Sequence, residues 1–209
     1  MNVPVYVIVR DRVTDLKLLV EWLERAGHDR IILLDNDSEW PPALEYLEAT
    51  PHQVVRLREN LGPQCLWHLG APDEWFVYTD PDIVPLDDCP PDAVDHLRSL
   101  LGRYDFSKAG LGLFVDDLPK IPELNWERSL HGADRWQGDC YKAPVDTTFA
   151  LYRPGVPWCI DAVRSGPPYE VRHMPWYRTR ELSAEDRFYY SRASGASTWG
   201  QQMRLLCGR

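Results

Sequence analysis

Residues 76–86 read Phe76-Val77-Tyr78-Thr79-Asp80-Pro81-Asp82-Ile83-Val84-Pro85-Leu86, and the rest of the chain falls into order around them. The aromatic and β-branched run over 75–79 reads as a buried strand. It delivers two carboxylates, Asp80 and Asp82, to a turn in which Pro81 fixes φ. Carboxylates at the end of a buried strand are costly to desolvate unless something pairs with them. A divalent cation holding a diphosphate is a fitting partner, because Mg²⁺ and Mn²⁺ take oxygen ligands from one or two carboxylates and from phosphates. Asp-x-Asp also arises by chance and Asp-Pro opens ordinary turns, so the triplet is read together with its surroundings.

Towards the N-terminus the pattern alternates. Residues 3–9 are apolar and β-branched, and Arg10, Asp11 and Arg12 follow. Thr14 reads as an N-cap, and Leu16, Leu19, Val20 and Leu23 recur at helical spacing up to Gly27. A second strand over 31–34 ends in Asp35-Asn36-Asp37-Ser38, and Pro41-Pro42 opens a second helix. Residues 54–57 form a third strand and 64–69 a third helix, ahead of the strand that opened the reading. Such alternation predicts an α/β fold with a mostly parallel central sheet flanked by helices. Polar residues follow strands one, two and four at one edge, which is where ligands bind in open α/β sheets. Downstream the pattern predicts a helix over 91–101, a strand over 106–115 followed by Asp116 and Asp117, and a helix over 125–137. A strand over 145–152, a loop over 165–168 and a helix over 183–193 complete it.

The 209 residues suit one domain, 1–209, which should bury roughly 70% of its unfolded surface. A net charge of −9 disfavours non-specific binding to nucleic acid or anionic membrane. The five cysteines lack zinc spacing, and their odd number argues against a disulfide framework, so they are expected to be reduced. No apolar run approaches the ~18–20 residues of a membrane span. The N-terminus has neither a basic segment nor a small-residue cleavage site, so no membrane span and a cytoplasmic location are expected. Nine Trp and ten Tyr supply both core and faces on which a sugar can stack.

Several segments together resemble the family-2 glycosyltransferases of the GT-A fold. Leu34-Asp35-Asn36-Asp37-Ser38 resembles their Asp-Asp-Gly-Ser loop, and Arg58-Glu59-Asn60-Leu61-Gly62, continuing to Gly70, their Asn-x-Gly segment. Residues 75–85 resemble their strand and Asp-x-Asp motif, and Glu185-Asp186 with the residues up to Gly195 their Glu-Asp motif and the following helix. The likeness covers about the first 90 residues well and the remainder in patches. It implies a nucleotide-sugar-binding half, 1–90, and an acceptor-binding half, 91–209. It also implies a UDP- or GDP-sugar donor, Mn²⁺ or Mg²⁺, and transfer to an acceptor hydroxyl, with inversion expected if a carboxylate base stands opposite the leaving group and retention if none does. By that resemblance Arg10, Arg12, Asp35, Asn36, Asn60 and Asp80 belong to the donor site, Asp82 with Asp80 holds the metal, and Asp186 is the general base. Asn36 stands where the family often has a second Asp, and Trp67-His68 replace its Arg-Asn pair. No His follows His173, although the family often places one after the Glu-Asp motif.

Other residues have two readings each. His173 is a third metal ligand or a hydrogen-bonded histidine in an aromatic loop. Asp186 is a base, or the last member of the capping box Ser183-Ala184-Glu185-Asp186. Asp146 is a second candidate for catalysis, and Asp116 and Asp117 are rivals, with Asp117 assigned to the acceptor side; each also fits a strand-end turn. Lys108 is assigned to the donor phosphates, and Trp176, Tyr177 and Arg178 to the acceptor, within an Arg- and aromatic-rich stretch over 170–192. That stretch also suits a nucleic-acid acceptor such as a hydroxymethylated base, beside the glycan or small-molecule reading. Two alternatives stand beside glycosyl transfer. One is a nucleotidyltransferase, which commonly has a Gly-rich basic loop after strand one, where Arg10-Asp11-Arg12 stands instead. The other is a non-catalytic sugar-nucleotide or glycan-binding module.

Overall fold

The computed structural model describes residues 2–178 and 182–192. The β-branched run at the N-terminus forms β1 (Val5–Val9), and the second run forms β2 (Ile31–Asp35). Between them α1 (Thr14–Arg25) buries Leu16, Leu19, Val20, Trp22 and Leu23, an apolar stripe at helical spacing. α2 (Pro41–Ala49) opens on its proline pair, then β3 (Gln53–Arg56), the short α3 (Cys65–His68) and the fully buried β4 (Phe76–Thr79) follow. Thr14 is the first helical residue and not the N-cap, which is Val13. The valine side chain has no oxygen to offer the free N–H groups of the first turn. The Thr14 N–H donates instead to Glu185 Oε2, 3.2 Å away and far along the chain.

The second half holds β5 (Ile83–Pro85), α4 (Ala93–Arg103), β6 (Lys108–Gly110), β7 (Gly112–Leu113) and α5 (Asn125–Ser129). β8 (Cys140–Lys142), β9 (Ala150–Tyr152), β10 (Val163–Ser165), β11 (Glu170–His173) and α6 (Ala184–Arg192) complete it. The large sheet runs β3-β2-β1-β4-β9-β6-β10-β8, and a small sheet runs β5-β11-β7. The first four strands of the large sheet are parallel, as expected. Beyond them β4–β9, β9–β6 and β10–β8 are antiparallel, so the sheet as a whole is mixed. Side chains of β1 alternate between its faces. Val5, Val7 and Val9 join the core with α1 and α4, while Ile8 faces a second cluster with Leu66, Phe76 and Tyr78.

The differences from the sequence reading have local causes. The strand expected over 106–115 divides between the two sheets, β6 in the large and β7 in the small. Gly112 permits the change, since a Cβ there would lie 2.3 Å from the Ser165 carbonyl oxygen. The helix expected over 125–137 stops at Ser129, and one 3₁₀ turn, Ala133–Arg135, follows Gly132. Of residues 145–152 only β9 is strand, because Asp146 Oδ1 takes the N–H of Thr147 and turns the chain out of the ladder. Ser165, expected in a loop, ends β10.

Cys65, Cys89, Cys140 and Cys159 are unbridged, and no helix among the described residues is long and apolar enough to cross a membrane. Cys207, and Gly195 of the expected motif, lie outside the described residues.

Glu170, at the start of β11, is buried, and burial together with Asp116 and Asp88 pushes its carboxyl up to about 7. Its folded-state value lies above the ordinary 4.5, so its contribution is fully present below that pH and is lost as pH rises towards 7. Glu170→Gln is therefore expected to raise stability at pH 8 by about 1–2 kcal/mol, a figure discounted for solvent screening. At pH 4.5 the gain should vanish. Urea unfolding at the two pH values checks this.

Candidate active site

The carboxyl edge of β1, β2 and β4 opens into a cleft of about 590 Å³. Backbone pairing places its acidic residues. Asp80 N–H donates to the Thr147 carbonyl at 2.8 Å, which ties the end of β4 to the 146–148 segment. After the Pro81 turn, β5 pairs antiparallel with β11, with His173 opposite Ile83, and Met174 N–H donates to the Asp82 carbonyl at 3.0 Å. This pairing sets His173 Nε2 3.7 Å from Asp82 Oδ1. Asp82 Oδ1 and His173 Nδ1 are both buried without a hydrogen-bond partner among the described residues. Burial, aided by Arg12 and opposed by Asp82, holds the imidazole below its usual pKa, so near neutral pH it is uncharged and keeps a lone pair. Asp80 Oδ2 accepts a short hydrogen bond from Thr147 Oγ1. Burial, then the charges of Asp82 and Asp146, push the Asp80 carboxyl well above the carboxylate range. Asp146 completes the acidic wall of the cleft.

Cations and amides line the β1–β2 side. Arg10 faces the cleft and donates to the Arg192 carbonyl at 3.3 Å, and its Nε is buried without a partner among the described residues. Arg12 is buried between Asp82 and α6. Asn36 is consumed by the fold: its Oδ1 takes the Leu61 N–H, and its Nδ2 donates to Asn60 Oδ1 and the Gly62 carbonyl. Asn60 Oδ1 also takes the Gly62 N–H, which fixes the side chain at the rim and leaves its Nδ2 donors for a ligand.

Asp35 stands just behind this wall, bonded to Ser38 N–H and Arg56 Nη1, 2.8 Å away. Asp186 also stands off the cleft wall. Its Oδ2 accepts from both Ser183 N–H and Oγ, Ser183 Oγ accepts from Asp186 N–H, and its Oδ1 faces Arg12 and Arg178 at 3.8 and 3.9 Å. The capping box is thus formed as written in the sequence. Arg178 grips the buried Asp15 through both nitrogens, and Asp117 pairs at the surface with Arg172 and Tyr177. Of the aromatic stretch assigned to the acceptor, Trp176 lines the cleft and Tyr177 does not.

Lys108 is fully buried and approaches the cleft only indirectly. Its Nζ donates to Tyr152 Oη at 2.9 Å and to the Asp146 carbonyl at 3.3 Å, and burial pushes its ammonium down to about 8. It anchors the backbone of Asp146.

Residues absent from the sequence reading also build the walls. Trp126, Trp158, Leu113 and Pro175 line the cleft, as does Arg164. Arg164 Nη1 donates to the buried Glu127 Oε1 at 2.6 Å. Nothing around Arg164 or Glu127 in the sequence marks a pair. β10 carries Arg164 and α5 carries Glu127, and the pair forms only because the fold packs these two elements together.

Among the described residues no three or more His, Cys, Asp or Glu side chains stand together at metal-ligand spacing. No protein-family model and no curated protein matches the chain. Among solved structures it is similar to the crystal structure of S. aureus TarS 1–349, at 11% identity over 99% of this chain and 69% of that one, with a TM-score of 0.49.

Proposed function

We propose that the protein is a metal-assisted glycosyltransferase, moving a sugar from a nucleotide-diphosphate sugar to an acceptor hydroxyl with inversion. The observation that carries this reading is the meeting of Asp80, Asp82, His173 and Asp146 in one cleft, opposite Arg10 and Asn60. Asp82 and His173 are a carboxylate and an imidazole of the kinds Mn²⁺ or Mg²⁺ takes, and no third His, Cys, Asp or Glu stands with them at ligand spacing among the described residues. Asp82 Oδ1 and His173 Nδ1 are buried polar atoms without hydrogen-bond partners among the described residues, and Asp80 is crowded by like charge. Asp82 and His173 would hold the ion, with Asp80 beside them and diphosphate oxygens and water supplying the remaining ligands. When bound, it supplies charge stabilisation to the departing diphosphate.

The chain's own residues account for the other requirements. Asn60 offers amide donors to the nucleobase, and Arg10 stands where a diphosphate would lie across the β1 edge. Trp126, half exposed, and the largely buried Trp176 line the cleft and would supply apolar surface to an acceptor sugar. Asp146 is the base we favour, because it reaches the cleft while Asp186 is held in its capping box. In that reaction the acceptor O–H proton passes to the Asp146 carboxylate as the oxygen bonds to the anomeric carbon. The bond from that carbon to the diphosphate oxygen breaks, and its electron pair leaves with the nucleotide.

Calorimetric titration with UDP, then GDP, with and without Mn²⁺, tests this on the wild type and on Asp82→Ala. One nucleotide is expected to bind roughly tenfold or more tightly with Mn²⁺, and the variant to lose that gain. A folded protein that binds neither nucleotide in the presence of Mn²⁺ would overturn the reading.

A further inference from the structure

Asp82 already has a cation. Arg12, 3% exposed, sets Nη1 3.1 Å from Asp82 Oδ2, with Asp186 Oδ1 3.8 Å away on its other side. α6 cages the guanidinium: Nη2 donates to Tyr190 Oη at 3.0 Å, and the central carbon lies 4.3 Å from the centre of the Tyr189 ring. Proximity and hydrogen bonding diverge here. Nη1 is within ion-pair distance of Asp82, yet it is not aligned to donate a hydrogen bond, and Asp82 Oδ1 has no partner among the described residues. The pair is held by charge and by the tyrosine cage, without the two parallel bonds that make an arginine–carboxylate pair hard to part.

We propose that Arg12 is the resident counter-ion of Asp82, so that the bare site resists a free divalent cation and accepts one only with a diphosphate that takes Arg12 over. This rests on the glycosyltransferase reading of the same cleft. A divalent ion beside a buried guanidinium meets repulsion in a medium that screens poorly. A diphosphate reverses the balance, because it offers Arg12 oxygens for a two-pronged grip and leaves both oxygens of Asp82 to the ion. Cation and nucleotide then bind with positive coupling, and the coupling is reciprocal. Because Tyr189 and Tyr190 hold Arg12 in place, α6 senses the exchange.

The test is Mn²⁺ titration without nucleotide, read from the electron paramagnetic resonance of the free ion, on the wild type, Arg12→Met and Tyr190→Phe. It is then repeated with UDP and with GDP. Wild type is expected to bind Mn²⁺ alone roughly tenfold or more weakly than in the nucleotide complex. Arg12→Met is expected to bind Mn²⁺ alone roughly tenfold more tightly than wild type, with the coupling to nucleotide largely gone. A folded Arg12→Met with unchanged or weaker Mn²⁺ affinity overturns the proposal. Should that variant not fold, Tyr190→Phe decides: it keeps the arginine, removes one of its hydrogen bonds, and should tighten Mn²⁺ by about two- to fivefold. No change there overturns the proposal as well. If wild type binds no Mn²⁺ even with nucleotide, the glycosyltransferase reading fails and takes this one with it. If nucleotide-supported Mn²⁺ binding is present but no variant gains affinity, only the role of Arg12 fails.

Discussion

Asp146→Asn is expected to lower sugar transfer by about 10²–10⁴-fold, the range a positioned base contributes, while the nucleotide complex still forms. The asparagine keeps the Oδ1 that accepts the Thr147 N–H, so the turn survives. It also keeps the main-chain carbonyl that Lys108 Nζ and Tyr152 Oη approach at 3.3 and 3.4 Å. What it loses is the negative charge and the ability to take a proton. Binding of the nucleotide with Mn²⁺ should therefore hold or tighten slightly, since one of the charges crowding Asp80 is gone. Asp186→Asn is the matched control. It weakens a capping box and should cost about 1 kcal/mol of stability, with transfer changed less than roughly tenfold. Initial rates beside calorimetric nucleotide binding separate the two. The opposite pattern, with transfer lost in Asp186→Asn and spared in Asp146→Asn, would return the base to Asp186.

Part of this contrast was written in the sequence and part was not. Ser183-x-x-Asp186 is a local signal, and the structure forms the box that the spacing describes. β1, β2 and β4 were legible because parallel strands covered on both faces are continuous apolar runs. Their order along the chain already brought Arg10, Asn36 and Asp80 to one edge. β5 and β11 are three- and four-residue strands, too short to show a period, so no pattern announced that His173 would face Asp82. The chain alone assigns Lys108 to the donor phosphates, with a solvated surface charge as the other reading. Burial between Tyr152 and Trp158 makes it a support beneath Asp146 instead. Arg178 likewise read as free to meet an acceptor, and Asp15 on α1, remote in sequence, holds it. By residue type the chain alone places His173 beside Asp82 across the two halves, but it gives Asp186 to catalysis although its local partner Ser183 holds it, and it does not reveal the partners of Lys108 and Arg178.

Glu127→Leu is expected to destabilise the protein by about 3–5 kcal/mol, the cost of leaving a buried charge without its partner. Glu127 is fully buried and Arg164 is 3% exposed, with Nη1 2.6 Å from Oε1. Arg164 Nε and Nη2 donate to the single carbonyl of Pro144, and Tyr141 adds a side-chain hydrogen bond, but neither neutralises a guanidinium as a carboxylate does. The two partners respond differently to being paired. Burial pulls Arg164 down but Glu127 and Tyr141 more than offset it, while burial raises Glu127 more than Arg164 lowers it. Glu127 Oε2, without a hydrogen-bond partner among the described residues, explains why the carboxylate is the strained member. The pair as a whole is therefore no large asset, and replacing both members with apolar residues should recover most of the loss. In urea unfolding, Glu127→Leu should fall far below wild type, and Glu127→Leu with Arg164→Met should return to within about 1–2 kcal/mol of it. Transfer activity should not return with stability, because Arg164 lines the cleft near Asp146 and the double variant removes it. A single Glu127→Leu as stable as wild type would mean that water from the cleft already solvates Arg164. In that case its charge would face the substrate rather than the core.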